Sequence, residues 1–278
     1  MEIPIPFFRL RNTISEWILR GPSILYLGLM IGLPLIVIFL DGFREGVSGL
    51  LYQITLPIAR HAIILTLWTS ASMMLINAVM GLMAAYVLER YTFPGKRLMN
   101  AIVDLPLAIP TLVTGVMLVI LYGPQRTLGQ FLSQQVGLQI VFAPSGIILA
   151  LLFITFPLVV RAIQPVLQDL DITQERAAAT LGAGQWQIFW KIVFPALLPP
   201  LLSGSLLGFS RAIGEFGAVV IVAGNIPLRS QTAAVYVFGA VESENRLGAS
   251  AVSIVLVGIS FAMLMIANAL HKSWGAHR

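Results

Sequence analysis

The chain has 278 residues, 58% of them hydrophobic and only 10% charged, with a mean hydropathy of +0.89. Soluble domains carry roughly 25% charged residues because their whole exterior meets water, so this composition excludes an ordinary soluble domain and makes hydrocarbon the solvent. The absence of cysteine excludes disulfides, thiolate nucleophiles and Cys-based zinc sites, and the net charge of +5 comes with no aromatic–basic cluster suited to nucleic acid.

In chain order, the N-terminal segment carries Arg9, Arg11, Glu16 and Arg20 before an apolar run from Pro22 to Leu40. No small-residue cleavage site ends that run, so it is expected to be a retained first span rather than a removed signal. A hydrocarbon core about 30 Å thick needs roughly 20 apolar residues in a helix. Runs that meet this need are Ala62–Leu88, Leu105–Gln125, Val141–Val160, Ile192–Ser210 and Leu247–Leu270. The fifth of the six runs, Ile192–Ser210, then meets Arg211 and Glu215 and continues through Phe216–Ala223. In lipid every backbone group must be paired internally, so the runs predict an all-α integral membrane protein of six transmembrane helices.

Basic residues set the orientation. With the N-terminus in the cytoplasm, the inner segments hold Arg9, Arg11, Arg20, Arg90, Lys96, Arg97, Arg161, Arg176, Lys191, Lys272 and Arg278. The outer segments hold only Arg44, Arg60, Arg126, Arg229 and Arg246. This excess predicts cytoplasmic termini. It also leaves Arg161–Lys191 as the longest cytoplasmic insertion. That loop predicts a short helix capped by Asp171 or Thr173, a turn at Gly182 and Gly184, and an aromatic patch of Trp186, Phe189 and Trp190. A plain connector would need far fewer residues, so the segment has the features of a docking site.

Two sets of residues stand out. Arg211 and Glu215 are four apart and share one helix face. Charges in hydrocarbon usually face the bundle interior or water, so the pair either locks helices together or lines a translocation path, with Gly214 beside it. Gly208, Gly214, Gly217 and Gly224 accompany the pair and either allow close helix packing, the favoured reading, or serve as hinge points. Asp104 marks the start of the third span, where Pro106 and Pro110 each remove a helix hydrogen bond and permit a kink. No catalytic set is present: His61, His271 and His277 are scattered, and no phosphate-binding loop of the Gly-x-x-x-x-Gly-Lys type occurs. A stand-alone secondary transporter calls for intramembrane acids or an inverted repeat, and the chain offers one intramembrane Arg–Glu pair and no clear repeat.

The long loop resembles the cytoplasmic loop of permease subunits of ATP-binding-cassette importers. The family pattern there is Glu-Ala-Ala, three residues, Gly, nine residues, then Ile-x-Leu-Pro. Ala177, Ala178, Gly182, Ile192 and Pro195 fall at those spacings. Arg176 stands at the family's Glu position and Phe194 at its Leu, while Glu175 is one residue early. A narrower likeness lies in Arg211-Ala-Ile-Gly-Glu-Phe-Gly-Ala218, Ala223-Gly-Asn225, Tyr91-Thr-Phe-Pro-Gly-Lys96 and Asp104-Leu-Pro-Leu-Ala-Ile-Pro110. These are similar to the sulfate, thiosulfate and molybdate permeases, and the ending and length resemble the T-type sulfate permease more than its W-type partner or the molybdate permease.

The resemblance implies a type I importer fold with a cytoplasmic coupling helix, in a bacterial inner membrane. It divides the chain into an N-terminal segment with the first helix and a periplasmic loop (1–56), a transmembrane core (57–270, coupling loop about 161–195) and a cytoplasmic tail (271–278). It implies a second permease subunit, two ATPase subunits that bind ATP and magnesium, and a periplasmic sulfate-binding protein, with no cofactor in this chain. The path candidates are Arg211, Glu215, Gly214, Asp104 and Pro110. The ATPase-coupling candidates are Glu175, Arg176, Ala177, Ala178, Gly182, Trp186, Ile192 and Pro195. The implied cargo is sulfate, then thiosulfate, with molybdate or tungstate the alternative.

Overall fold

A computed structural model describes the backbone of residues 13–275 and the side chains of residues 20–269. The expected tail 271–278 and the beginning of the N-terminal segment therefore fall wholly or partly outside the described residues. All regular structure among the described residues is helical.

The chain enters through α1 (Thr13–Leu27), which runs through a widened turn at Gly28–Gly32 into α2 (Leu33–Gly42). Together they form an apolar span, Arg20–Gly42, that is unburied along its apolar stretch; only Gly42 at its end is buried, where α2 meets α14. The widened turn precedes Pro34, which has no N–H and whose ring crowds the preceding turn. A short helix α3 (Gly46–Thr55) then leads to α4 (Pro57–Arg90), 34 residues long and the longest span. It stops where Tyr91 turns extended and Gly95 adopts a φ of 87°, a conformation that favours glycine.

The third span departs from the expectation of one helix over Leu105–Gln125. It is divided into α5 (Lys96–Ala108) and α6 (Thr111–Tyr122), and the axis bends by 109° between them. The physical cause is Pro110. It forces Ile109 into an extended conformation, φ −82° and ψ 128°, and so ends α5. Pro106 is accommodated inside α5. The polar stretch that follows contains α7 (Thr127–Gln135).

The fourth span, α8 (Pro144–Asp169), packs on α4, on α5 and on α11. After α9 (Ile172–Thr180), the fifth span is assembled from α10 (Gln185–Ile188), a second widened turn at Phe189–Val193 and α11 (Phe194–Ile213). That turn again precedes a proline, Pro195. The helix does not continue through Glu215: it breaks at Gly214–Phe216 and restarts as α12 (Gly217–Ala223), which packs against α6 and α8. A further apolar helix, α13 (Ala233–Glu242), occupies the stretch expected as an external loop, and α14 (Arg246–Gly275) closes the chain. The described residues thus hold five uninterrupted apolar spans and a sixth formed by the bent pair α5–α6.

The core runs along α4 and α8. One cluster joins Ala85, Leu88, Val159, Ile163, Leu167, Val193 and Leu197; a second joins Leu65, Met73, Ile147, Leu151, Ala212, Val219 and Val235. Glycines set the closest approaches. A Cβ on Gly81 would lie 2.8 Å from Val159, and one on Gly204 would lie 2.7 Å from Ala162. Gly115 of α6 faces α12, where a Cβ would come within 2.8 Å of the Ala218 carbonyl oxygen and of the Ile221 Cβ. Small residues at such seams let backbones touch where lipid offers no hydrophobic drive.

Gly115→Ala is therefore expected to force α6 and α12 apart, costing about 1–3 kcal/mol of packing. Gly258→Ala, whose added Cβ meets nothing within 4 Å, is the matched control. Thermal melting in detergent should fall for the first and hold for the second.

Candidate functional site

Three layers of polar residues lie within the helix bundle. The first surrounds the break between α11 and α12. Restarting a helix inside hydrocarbon leaves its first N–H groups without partners, at several kcal/mol each. Glu215 answers this need directly. Its Oε1 accepts from the Ala218 N–H at 3.1 Å and its Oε2 accepts from Arg211 Nη1 at 2.7 Å. At the far end of α12, the Phe142 N–H donates to the Val222 carbonyl at 2.8 Å and the Ser230 hydroxyl donates to the Ala223 carbonyl at 2.6 Å.

The two charges of the pair have different surroundings. The Glu215 side chain is 2% exposed, whereas that of Arg211 is 44% exposed. Arg211 lies on an open stripe of α11 with Leu207 and Gly214, the i, i+4, i+7 face of a helix. Glu215 is thus a structural cap, and Arg211 is the member of the pair that meets the outside of the single chain. Gly217 supplies the third contact of this layer, since a Cβ there would collide with Thr111 Oγ1 at the start of α6. Both helix breaks, at Pro110 and at Gly214, therefore meet at one place. Asp104 does not join them.

The second layer crosses the bundle through Asn77 of α4. Its Nδ2 donates to the Leu152 carbonyl at 3.1 Å and to Thr155 Oγ1 at 2.9 Å. Asn77 also borders an apolar crevice of about 1160 Å³ formed by α4, α5, α6 and α8, with Met80, Pro106, Leu118 and Phe156 among its walls. None of Arg211, Gly214, Glu215, Asp104 and Pro110 lines it.

The third layer holds Asp104. Arg161 of α8 donates to both Asp104 oxygens, at 2.7 and 2.5 Å, and to the Asn100 carbonyl at 3.0 Å. It also donates to Gln164 Oε1. Gln164, nearly fully buried, donates in turn to Glu89 Oε1 at 2.8 Å and to Asn100 Oδ1 at 3.1 Å. Beside Glu89, Arg90 ends α4 and pairs with Glu175 of α9 at 2.5 Å, both side chains mostly buried.

The loop between α8 and α11 follows from its sequence step by step. Asp171 caps α9, accepting from the Thr173 N–H at 2.9 Å and the Thr173 hydroxyl at 2.6 Å. These bonds, the hydroxyl's first, hold its carboxyl below the usual range. Thr173 is the bonding partner of the cap and not the cap itself. Gly182 ends the helix at φ 86°, with its N–H bonded to the Ala179 carbonyl and the Ala183 N–H bonded to the Ala178 carbonyl, both at 3.0 Å. This is the two-bond glycine terminus of helices, and it explains why alanines precede a glycine at this spacing. Ala177, Arg176 and Gly182 are exposed, and Ala178 and Ile192 are partly buried.

Glu175 turns inward to Arg90, while Arg176, about 100° further round the helix, faces solvent. Leu181 is 89% exposed and Trp186 73% exposed, and Trp190 stands beside Trp186 with ring centroids 5.5 Å apart. Phe189, expected with these as an outward anchor, is partly buried, with its ring 5.4 Å from that of Trp190 and 5.5 Å from that of Tyr86 of α4. Pro195 is exposed where α11 begins. Glu89, Asn77, Asn100 and Gln164 were not singled out in the sequence. Their signal is a lone amide or acid inside or at the edge of an apolar run. Leu181 carries no such signal, because one leucine among many is unremarkable until its side chain is seen in the open.

The helical bundle and the glycine-terminated loop define a multi-pass membrane permease. A family model described as "Binding-protein-dependent transport system inner membrane component" matches residues 77–275, and the chain belongs to that family. It is 41% identical to the sulfate transport system permease protein CysT of Synechocystis sp. over 91% of this chain and 88% of that protein. It is 38% identical to sulfate permease 2, chloroplastic, of Chlamydomonas reinhardtii over 96% of this chain and 73% of that protein. Among solved structures, a bacterial alginate ABC transporter has a chain of the same fold, with a TM-score of 0.75, 16% identity and coverage of 94% and 96% of the two chains. A chain of the MetNI methionine ABC transporter matches with a TM-score of 0.55 and 19% identity over 77% of this chain and 96% of that chain.

Removing Glu215 by Glu215→Ala should leave α12 uncapped and Arg211 without its counter-charge. A fully buried pair broken in this way costs about 3–5 kcal/mol, and the exposure of Arg211 reduces that figure. Glu215→Gln keeps an acceptor for Ala218 and should be milder. Yield of monodisperse protein in detergent should rank wild type, Glu215→Gln, Glu215→Ala.

Proposed function

We propose that this chain is one permease subunit of an ATP-driven importer that carries sulfate inward. The observation that supports it most is the likeness to sulfate permeases along nearly the whole chain, together with a loop whose glycine terminus presents Leu181, Trp186 and Trp190 to the outside. The complex is completed by a second permease, two ATPase subunits and a periplasmic sulfate-binding protein. ATP and magnesium are held by the ATPase subunits, and this chain takes no catalytic step.

In this reading the binding protein delivers the dianion to the outer mouth, and closure of the ATPase pair moves α9 and the aromatic patch. Trp186 and Trp190 fit a groove on the ATPase surface as aromatic anchors, and Arg176 meets an acidic or neutral group there. Arg211, on the open face of α11, gives the path a positive potential beside the passing anion. Contact with the anion is weak and transient, because a site that held it tightly would not let it leave. Glu215 keeps that arginine in place and neutralises it in part. Asp104 and Pro110 act on the path indirectly, through the position of α5 and its bend.

Radiolabelled sulfate uptake by membranes carrying the whole complex tests this reading. Gly182→Val should abolish uptake, since a left-handed conformation costs a non-glycine residue about 1–2 kcal/mol and a β-branched one more. Gly182→Asn, which tolerates that conformation, should retain most of it. Equal activity of the two would overturn the coupling role, and uptake of molybdate but not sulfate would overturn the cargo.

The inner-membrane orientation has its own test. With no native cysteine, single substitutions Ser48→Cys, Ser243→Cys and Gln174→Cys can be labelled by an impermeant thiol reagent in cells with an opened outer membrane. The first two should react and the third should not; the reverse pattern would invert the topology.

A further inference from the structure

We infer that Gln164 is the joint of a polar relay that fixes the position of α5 to that of α9, so that motion of the coupling helix reaches the broken third span. This rests on the ATP-driven reading above and adds to it the residues that carry force within the chain.

The geometry is continuous. Glu175 of α9 is paired with Arg90, the last residue of α4, and the neighbouring Glu89 accepts from Gln164 of α8 at 2.8 Å. Gln164 donates also to Asn100 of α5 and accepts from Arg161, which holds Asp104 of α5 with two bonds. From Asp104, α5 runs to the bend at Pro110, and α6 starts there against Gly217, two residues past Glu215. The links from the exposed loop to the two helix breaks are thus ion pairs, hydrogen bonds and one packing contact, joined by two covalent steps, the Glu89–Arg90 peptide bond and the helix from Asp104 to Pro110.

Gln164 is the side chain through which the two ion pairs communicate. Arg90–Glu175 lies on one side of it and Arg161–Asp104 on the other. An amide suits the position, because it accepts from the arginine with its oxygen while its nitrogen donates to both Glu89 and Asn100. A leucine of similar volume would fill the space and leave both ion pairs formed but unconnected. The attachment of α5 to the rest of the chain is otherwise slight, since only Val103 and Pro106 of its residues are buried. Its position therefore depends on the polar contacts to Arg161 and Gln164.

The test uses the whole complex in proteoliposomes, with sulfate uptake and ATP hydrolysis measured together. Gln164→Leu should leave the complex assembled and hydrolysis close to wild type, while sulfate moved per ATP falls about tenfold, the size of a typical coupling between sites. Exchanging the partners, Glu89→Gln with Gln164→Glu, should restore the ratio. An unchanged ratio in Gln164→Leu, or a proportional fall in both activities, would overturn the relay. Should Gln164→Leu not assemble, Asp104→Asn releases the α5 end from a half-exposed position and should lower the same ratio.

Absence of sulfate uptake by the wild-type complex counts against the importer reading and not against the relay. The relay is then decided on the permease alone, by amide hydrogen exchange. Asp104→Asn should speed exchange in α9, which it does not touch, and unchanged exchange there would overturn it.

Discussion

Inside hydrocarbon, a backbone N–H that loses its helical partner has no water to replace it. The architecture of this protein follows from how it meets that constraint at two interrupted helices. At the start of α6 the residue at the break is Pro110, which has no N–H to leave unpaired. At the start of α12 the Glu215 carboxylate takes the Ala218 N–H, and Arg211 neutralises the carboxylate. The two repairs sit together because Gly217 and Gly115 let α6 and α12 approach at backbone distance. Two interruptions that would each be costly alone thus form one packed junction, and the only partly exposed charge in it is Arg211.

This arrangement separates the roles of a pair that looks symmetrical in the sequence. Spacing of four residues placed Arg211 and Glu215 on one helix face, and so they would be on a continuous helix. The break at Gly214 alters the environment of each without parting them. Glu215 becomes a buried cap, and its carboxylate is held by two donors. Arg211 remains on α11 with an open side. A charge with an open side within a span does not face lipid, which directs this face of α11 toward water or another subunit.

The number and order of the spans were legible in the sequence, because runs free of charge are long and the hydrocarbon thickness is a strict ruler. The loop between α8 and α11 was legible because its devices are local: a cap at Asp171, alanines, and a glycine that must take a positive φ. The bend of the third span was only half legible. Pro106 and Pro110 both announced a kink, and nothing local distinguished the proline that a helix absorbs from the one that ends it. The break of the fifth span was only partly legible, since Gly208, Gly214, Gly217 and Gly224 were all hinge candidates and nothing local singled out Gly214. What fixes it is tertiary, namely the contact of Gly217 with Thr111. The contact of Phe189 with Tyr86, about a hundred residues away in the chain, is likewise tertiary. The layer around Gln164 was legible only at Asp104, for the same reason. Glu89, Asn100, Asp104, Arg161 and Gln164 come from three helices, and each alone resembles an ordinary interfacial residue.

The mixture of contacts also decides which parts can move. Tightly interlocked apolar surfaces are bistable at best, because small displacements open voids. The seam of α4, α8 and α11 is of that kind, closed by Gly81 against Val159 and by Gly204 against Ala162. The α5 contact is of another kind. Its ion pair to Arg161 is 37% and 49% exposed on the two side chains, and pairs in contact with water contribute only about 0–1 kcal/mol net. Such bonds can be exchanged for water or for one another at little cost while still setting direction. A rigid apolar frame, with a bent span attached to it by a few replaceable polar bonds, lets one element change position without unpacking the rest. The Glu175–Arg90 pair, mostly buried and at the base of the exposed loop, is where a push from outside the membrane would enter that polar set.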